Sequence, residues 1–201
     1  ILPDNMSYLI RRDDYPNPIC IWNYHPEWEI HYISDAAGFA YVGDYVGPFK
    51  PGHLVLTGTN LPHNWITPGA PNLPGRDLVL QFDADTLMQA RAICPELDVL
   101  HRLKPMSRRG IEILGPEAID IGEVIVELND HKGAVGLGLF LEILNAIEAA
   151  PRKRALATEH FISLYGELSD KRHRRIDQAI QILQSRPDTQ MHEVAETVGL
   201  D

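Results

Sequence analysis

The spacing of short apolar runs up to about residue 82 constrains this chain most. Ile19–Trp22, Trp28–Ile33, Phe39–Val46, His53–Thr57, Asn64–Thr67 and Asp77–Phe82 are rich in Val, Ile, Tyr and Trp. Gly or Pro breaks them apart at Pro26, Gly38, Gly47-Pro48, Pro51-Gly52, Gly58 and Pro68-Gly69. Parallel neighbours need a long crossover, usually a helix, and these gaps leave no room for one. The sheet is therefore expected to be antiparallel. Many short strands with regular turn signals read as a barrel or a sandwich.

After residue 83 the period changes. Asp83–Cys94 reads as a short helix closed by Pro95, and Arg109–Leu114 as a late strand. Pro116–His131 places Ile121, Val124, Ile125 and Leu128 on one helical stripe, with Pro116 in the first turn and Gly133 at the stop. Leu137–Ala149 carries a second stripe: Leu137, Phe140, Leu141, Leu144 and Ile147. It can pack on the chain's own sheet or on a second copy as a homodimer interface. Near the end, Ser169-Asp170 offers an N-cap to a helix with Ile176, Ala179, Ile180 and Leu183 on one face, and Arg186-Pro187 stops it. Asp188 or Thr189 then caps a shorter helix bearing Met191, Val194, Ala195 and Val198, and Gly199 supplies a tight turn. A small helical bundle or the entry to a helix-turn-helix would both give this order.

Composition separates the two halves. The net charge is −10, which taken alone argues against a nucleic-acid binder. Residues 1–150 hold 10 Lys/Arg against 20 Asp/Glu, whereas residues 151–201 hold 8 of each. The basic residues of the second part are clumped, as Arg152-Lys153-Arg154 and Lys171-Arg172-His173-Arg174-Arg175. Such a run is either a solvated helix face or a phosphate contact. Cys20 and Cys94 make no disulfide framework, and a reduced, cytoplasmic protein is the expected setting. No run is long and apolar enough to span a membrane, and the start has no signal-peptide pattern. His53, His101, His131, His160 and His192 read as ordinary surface or loop residues. No G-x-S-x-G, P-loop, C-x2-C or dinucleotide motif occurs.

Chemistry concentrates around residues 22–32 and 63. On an extended chain Asn23, His25, Glu27, Glu29 and His31 share one face, while Trp22, Tyr24, Trp28, Ile30 and Tyr32 share the other. The polar row either faces water or lines an interior, where each buried polar group needs a partner. Trp22, Tyr41 and Trp65 are aromatic candidates for the wall or lid of such an interior, or for plain core.

Three segments carry a family resemblance. Asn23-Tyr24-His25-Pro26-Glu27-Trp28-Glu29 resembles the first cupin motif, H-x-H-x3-E. Gly52 through Gly58-Thr59-Asn60-Leu61-Pro62-His63 resembles the second, G-x5-P-x-G-x2-H. The segment RRIDQAIQILQSRPDTQMHEVAETVGLD resembles the opening of the AraC-family DNA-binding domain, at Ile176, Ala179, Ile180, Met191, Val194, Ala195, Val198, Gly199, Leu200 and Asp201. The resemblance implies a mainly β then α chain: a cupin-like antiparallel β-barrel, or jelly roll, then helices and the start of a helix-turn-helix. It places an effector-binding barrel at 1–115, a helical dimerisation or packing segment at 116–150, a linker at 151–170 and a truncated DNA-binding domain at 171–201. Recognition helices would lie beyond residue 201, so DNA would be a partner of the full-length protein only.

The resemblance also implies roles for residues. A small polar effector, a sugar or related metabolite, would meet His25, Glu27, Glu29, His31, His63, Trp65, Tyr41 and Trp22. His25, Glu29 and His63 fall on three of the four cupin metal positions, and a divalent transition metal is the cofactor they would hold. Asn23 stands where the first His is usual, which suits a sensor rather than an enzyme. The alternative is a metal-dependent cupin enzyme, an oxygenase or isomerase. Arg172, Arg174 and Arg175 would lie close to DNA.

Overall fold

The computed structural model describes residues 6–16, 23–69, 72–167, 175, 178, 179, 182 and 189–199. The chain divides into two compact units, Ile1–Glu159 and His160–Asp201.

The first unit is a pair of antiparallel sheets with helices on one side. Its strands are β1 (Leu9–Tyr15), β2 (Trp28–Ile33), β3 (Gly38–Val42), β4 (Tyr45–Phe49), β5 (His53–Thr57), β6 (His63–Ile66), β7 (Leu73–Phe82), β8 (Ile111–Ile113) and β9 (Lys153–Ala155). Six form one sheet in the order β1-β7-β2-β5-β8-β9, and three form the other as β4-β3-β6. The antiparallel expectation holds throughout. The expectation of one closed barrel does not: among the described residues the ladders fall into two sheets, and an isolated bridge joins Asn23, outside the named strands, to His63 of β6. Gly43-Asp44 splits the expected Phe39–Val46 run into the hairpin β3–β4, with Gly43 at φ +58°.

At the centre of the large sheet both faces are buried, so β2 and β5 are buried at every position. Trp28, Ile30 and Tyr32 turn toward the helices, together with Leu54, Leu56, Leu78, Leu80, Phe82, Ile111 and Ile113. The covering helices are α1 (Ala84–Gln89), α2 (Asp98–Ser107), α3 (Pro116–Asp130) and α4 (Gly133–Ala149). Asp83 caps α1 by accepting from the Thr86 amide at 3.0 Å. Within α3, Ile121, Ile125 and Leu128 are buried, as the stripe requires, while Val124 packs at the edge. Gly122 permits close approach: a Cβ there would stand 2.1 Å from the Tyr32 ring. Within α4, Phe140, Leu144 and Ile147 reach zero exposure in this chain's own core, Leu141 is half-buried, and Leu137 is exposed.

Three regular elements escaped the sequence reading in this unit. The β1 strand looks polar because it carries Arg11-Arg12-Asp13-Asp14. The α2 helix contains Pro105, which ordinarily argues a stop. The β9 strand hides in the Arg152–Arg154 clump, which the structure uses as a sheet edge paired with β8. No described helix is long and apolar enough to cross a membrane.

The helix α5 (Glu159–Glu167) starts at the boundary of the units. In the second unit, α6 (Met191–Val198) buries Val194 and Val198 and ends on Gly199 in the left-handed conformation, φ 69°. The expected cap moves: Gln190, not Asp188 or Thr189, is the N-cap residue, and its side chain makes no capping bond. Residues 175, 178, 179 and 182 are helical. Ile176, Ile180, Leu183, Arg172 and Arg174 lie outside the described residues, as do Cys20 and Trp22.

Candidate functional site

On the inward face of the large sheet the polar row of β2 continues sideways. Glu29 and His31 sit beside Gln81 and Val79 of β7, and Asp77 follows on the same face. From the small sheet, β6 contributes His63 and Trp65, whose register partners Val42 and Ala40 are fully buried. Between the sheets lies a cavity of about 210 Å³ lined by Arg11, Asp13, Asn23, Tyr24, His25, Glu29, His31, His63, Asn64, Trp65, Arg76, Asp77, Val79 and Gln81. Of the eight residues expected to meet an effector, five line it: His25, Glu29, His31, His63 and Trp65. Tyr41 does not, because alternation on β3 turns Ala40 and Val42 inward and leaves Tyr41 on the outer face. Glu27 lies outside the lining but puts a carboxylate oxygen 3.6 Å from His25 Nδ1.

Glu29 is the hub. Its Oε2 accepts from the Gln81 amide at 2.8 Å and faces His25 Nε2 at 3.2 Å; its Oε1 faces His31 Nδ1 at 3.1 Å and His63 Nε2 at 3.6 Å. Burial alone would raise this carboxyl's pKa, but the hydrogen bonds with His25, His31 and His63 outweigh it, and the pKa lies well below the usual range. His31 has a carboxylate on each ring nitrogen, since Nε2 stands 2.8 Å from Asp77 Oδ1. Burial opposes its charged form, but Asp77 and Glu29 prevail and raise its pKa. Its ring stacks on Trp65, with centroids 3.9 Å apart and planes 22° apart. Asp77 is held in turn by the buried Arg76 guanidinium, which also donates to Trp65 O and Thr67 Oγ1. Arg11 donates to Gln81 Oε1 at 2.7 Å and to Asp13 at 2.7 Å.

The arrangement fits a divalent cation. One atom each from His25, Glu29 and His63 lies within 4.8 Å of the others. His25 Nδ1 is 3.0 Å from Glu27 O and His63 Nδ1 is 2.7 Å from Leu61 O, so each ring can donate its Nδ1–H to a backbone carbonyl. That tautomer leaves both Nε2 lone pairs turned to Glu29, as histidine ligands usually require. Without a cation, His25 meets the carboxylate as a proton donor: burial lowers its pKa, but the hydrogen bond and charge of Glu29, aided by Glu27, raise it overall. Asn23 contributes a backbone bridge to His63, through bonds of 2.9 and 3.1 Å.

Sequence reading missed Arg11, Asp13, Arg76, Asp77 and Gln81. A signal existed on β7, where Asp77, Val79 and Gln81 alternate with Leu78, Leu80 and Phe82. Proline and glycine at 74 and 75 hid the start of that strand.

His53 is a correction. It is 6% exposed rather than on a surface or loop. Its Nδ1 lies 3.3 Å from Glu112 and its ring stacks on Phe49 at 5.0 Å. Among the described residues its Nε2 and the Trp65 Nε1 are buried without a hydrogen-bond partner. Burial pushes the His53 pKa below its ordinary value, against the pull of Glu112. Below about pH 6.5 the unfolded chain therefore binds a proton that the folded chain resists, and stability falls with pH toward the folded value. His53→Gln should flatten that fall between pH 7 and 5 in urea-midpoint measurements; an unchanged slope would refute the assignment.

No family model matches the chain, and no curated protein matches it. Among solved structures, the AraC-like transcriptional activator CuxR superposes with a TM-score of 0.45 at 10% identity, over 97% of this chain and 67% of that one. ToxT from Vibrio cholerae O395, bound to (E)-4-(8-methylnaphthalen-1-yl)but-3-enoic acid, gives 0.42 at 10% identity, over 98% of this chain and 73% of that one. At these scores the likeness assigns neither family nor function.

Proposed function

We propose that this chain is the sensing part of an AraC-type, DNA-binding transcription regulator, and that the cavity between its sheets, in a cupin-like jelly roll, takes a small polar effector such as a sugar. The observation that carries this reading is the meeting of His25, Glu29 and His63 in the lining of a cavity that Trp65, Gln81 and Arg11 also wall. The second support is the motif of residues 176–201, with Gly199 left-handed at the end of α6. A divalent transition metal held by the same three side chains is part of the proposal. Such an ion would supply a Lewis-acidic point for polar oxygens, while Gln81 and Arg11 orient the ligand from the wall. The exposed side of α4, marked by Leu137 with the half-buried Leu141 at its edge, is the candidate homodimer face, because paired DNA half-sites call for two-fold symmetry. Arg175 and the neighbouring Arg172 and Arg174 are the candidate phosphate contacts.

The competing reading, a metal-dependent cupin enzyme, uses the same triad and differs in what happens to the ligand. The test is calorimetry and thermal unfolding of the chain with Zn²⁺, Mn²⁺ and Fe²⁺, then with a panel of monosaccharides. A ligand at a hundredfold excess over Kd should add about 2.7 kcal/mol of stability. His63→Ala should abolish the metal response, and the ligand should be recovered unchanged. Chemical conversion of the ligand would favour the enzyme. Full-length protein that selects no sequence from a random DNA pool would end the regulator reading.

A further inference from the structure

The turn between β3 and β4 does more than join two strands. Asp44 Oδ1 accepts from the Thr158 amide at 2.9 Å, and Asp44 Oδ2 from the Thr158 hydroxyl at 2.5 Å. Its neighbour Tyr45 accepts from Arg154 Nη2 at 2.9 Å. Arg154 also donates to Glu112 Oε2 at 2.5 Å, and Glu112 reaches back to His53. Thr158 and Arg154 belong to the segment that leads in sequence from α4 into α5. The rest of that segment is laid on the large sheet: β9 pairs with β8, Leu156 N donates to Gly110 O, and Ala157 N to Arg109 O. The exit segment is thus gripped by both sheets, at adjacent residues of the small one.

The same small sheet carries His63. Val42 is the register partner of His63, and Gly43 N donates to Pro62 O at 2.8 Å. Only one or two residues of rigid hairpin therefore separate the His63 strand from the Asp44 and Tyr45 grips. Trp65, on the same strand, bears on His31 with one contact and on His53 with another, at 3.9 and 6.4 Å between centroids. Among the described residues β9, one edge of the large sheet, shares no backbone ladder with the small sheet, and the contacts between them there run through the side chains of Asp44, Tyr45 and Arg154.

We infer that Asp44 and Tyr45 couple the His25/Glu29/His63 site to the exit segment 154–158, so that drawing His63 toward Glu29 shifts the small sheet and is read as a change in how firmly residues 154–158 are held. The inference rests on the reading of the triad as a ligand site. Its physical basis is a shared hairpin with two sets of contacts, through which a ligand that binds one placement of the small sheet better than another would bias the exit segment.

The test is amide hydrogen exchange of the 201-residue chain with Zn²⁺ as the probe. Binding should change exchange at Leu156, Ala157 and Thr158 by about fivefold or more, within the usual range of coupling between sites. Asp44→Asn and Tyr45→Phe touch none of the three ligands, so they should bind Zn²⁺ as before and lose the exchange response. Zn²⁺ bound with no response at those amides, or an undiminished response in the double variant, would overturn the coupling. A second arm needs no metal. His63→Gln and Asp44→Asn should change exit-segment exchange non-additively, and strictly additive effects would overturn the coupling even if Zn²⁺ fails to bind. Failure to bind Zn²⁺ by itself counts against the triad as a metal site and leaves the decision to this second arm.

Discussion

Replacing Glu29 by Ala should cost about 3–5 kcal/mol of folding stability, because it strips the counter-charge from buried cationic partners. Glu29 is 4% exposed and stands between His25, His31, His63 and the Gln81 amide. His31 is the partner that decides the size of the effect. Both of its ring nitrogens face buried carboxylates, and Asp77 and Glu29 raise its pKa against burial, which favours the charged ring. Without Glu29 one N–H of that ring loses its acceptor inside a site of low polarity. Glu29→Gln keeps the shape and one acceptor oxygen but not the charge, and should cost about 1–3 kcal/mol, the range for an unmatched buried polar group. Urea unfolding at pH 7 measures both. A loss near zero for the alanine variant, the level of exposed ion pairs, would mean that the network is solvated and the site is not a closed polar interior.

That network shows how far sequence carries. Alternation on residues 23–32 was enough to put His25, Glu29 and His31 on one side and Trp28, Ile30 and Tyr32 on the other, and the structure keeps that division. His63 came from the resemblance to the second cupin motif, and Trp65 was one of three aromatic candidates for the wall. The partners that neutralise the row were not legible, because charge pairing is a property of strands adjacent in space. Arg11 and Asp13 come from a strand far earlier in the chain, and Asp77 and Gln81 from one far later. The two-sheet arrangement was hidden for a related reason. Strand spacing dictates antiparallel pairing but not which edges close, and here a single bridge from Asn23 reaches His63 on the edge of the small sheet. His53 was misread because a lone histidine after Pro-Gly resembles loop material, whereas pairing of Ile33 with His53 places it on the inward face of β5.

Phe140→Ala should lower stability by about 3–5 kcal/mol through the cavity it leaves. Phe140 has zero exposure, stacks on Tyr8 at 5.1 Å and meets Phe82 edge-on at 5.1 Å. The ring therefore ties the residue that leads into β1, strand β7 and helix α4 together within one chain. This separates two jobs that the stripe on α4 could have done. If Phe140, Leu144 and Ile147 formed a seam between copies, the loss would depend on protein concentration, since dissociation would couple to unfolding. Their burial in the chain's own core predicts a loss of about 2–4 °C in Tm per kcal/mol that stays constant as protein is diluted. Leu137→Ser supplies the contrast. At 42% exposure it should leave folding within about 0.5 kcal/mol of the original. A shift of the sedimentation profile toward monomer in that variant would locate the contact between copies on the outer side of α4, while a concentration-dependent Phe140→Ala defect would move it inward and contradict the packing described above.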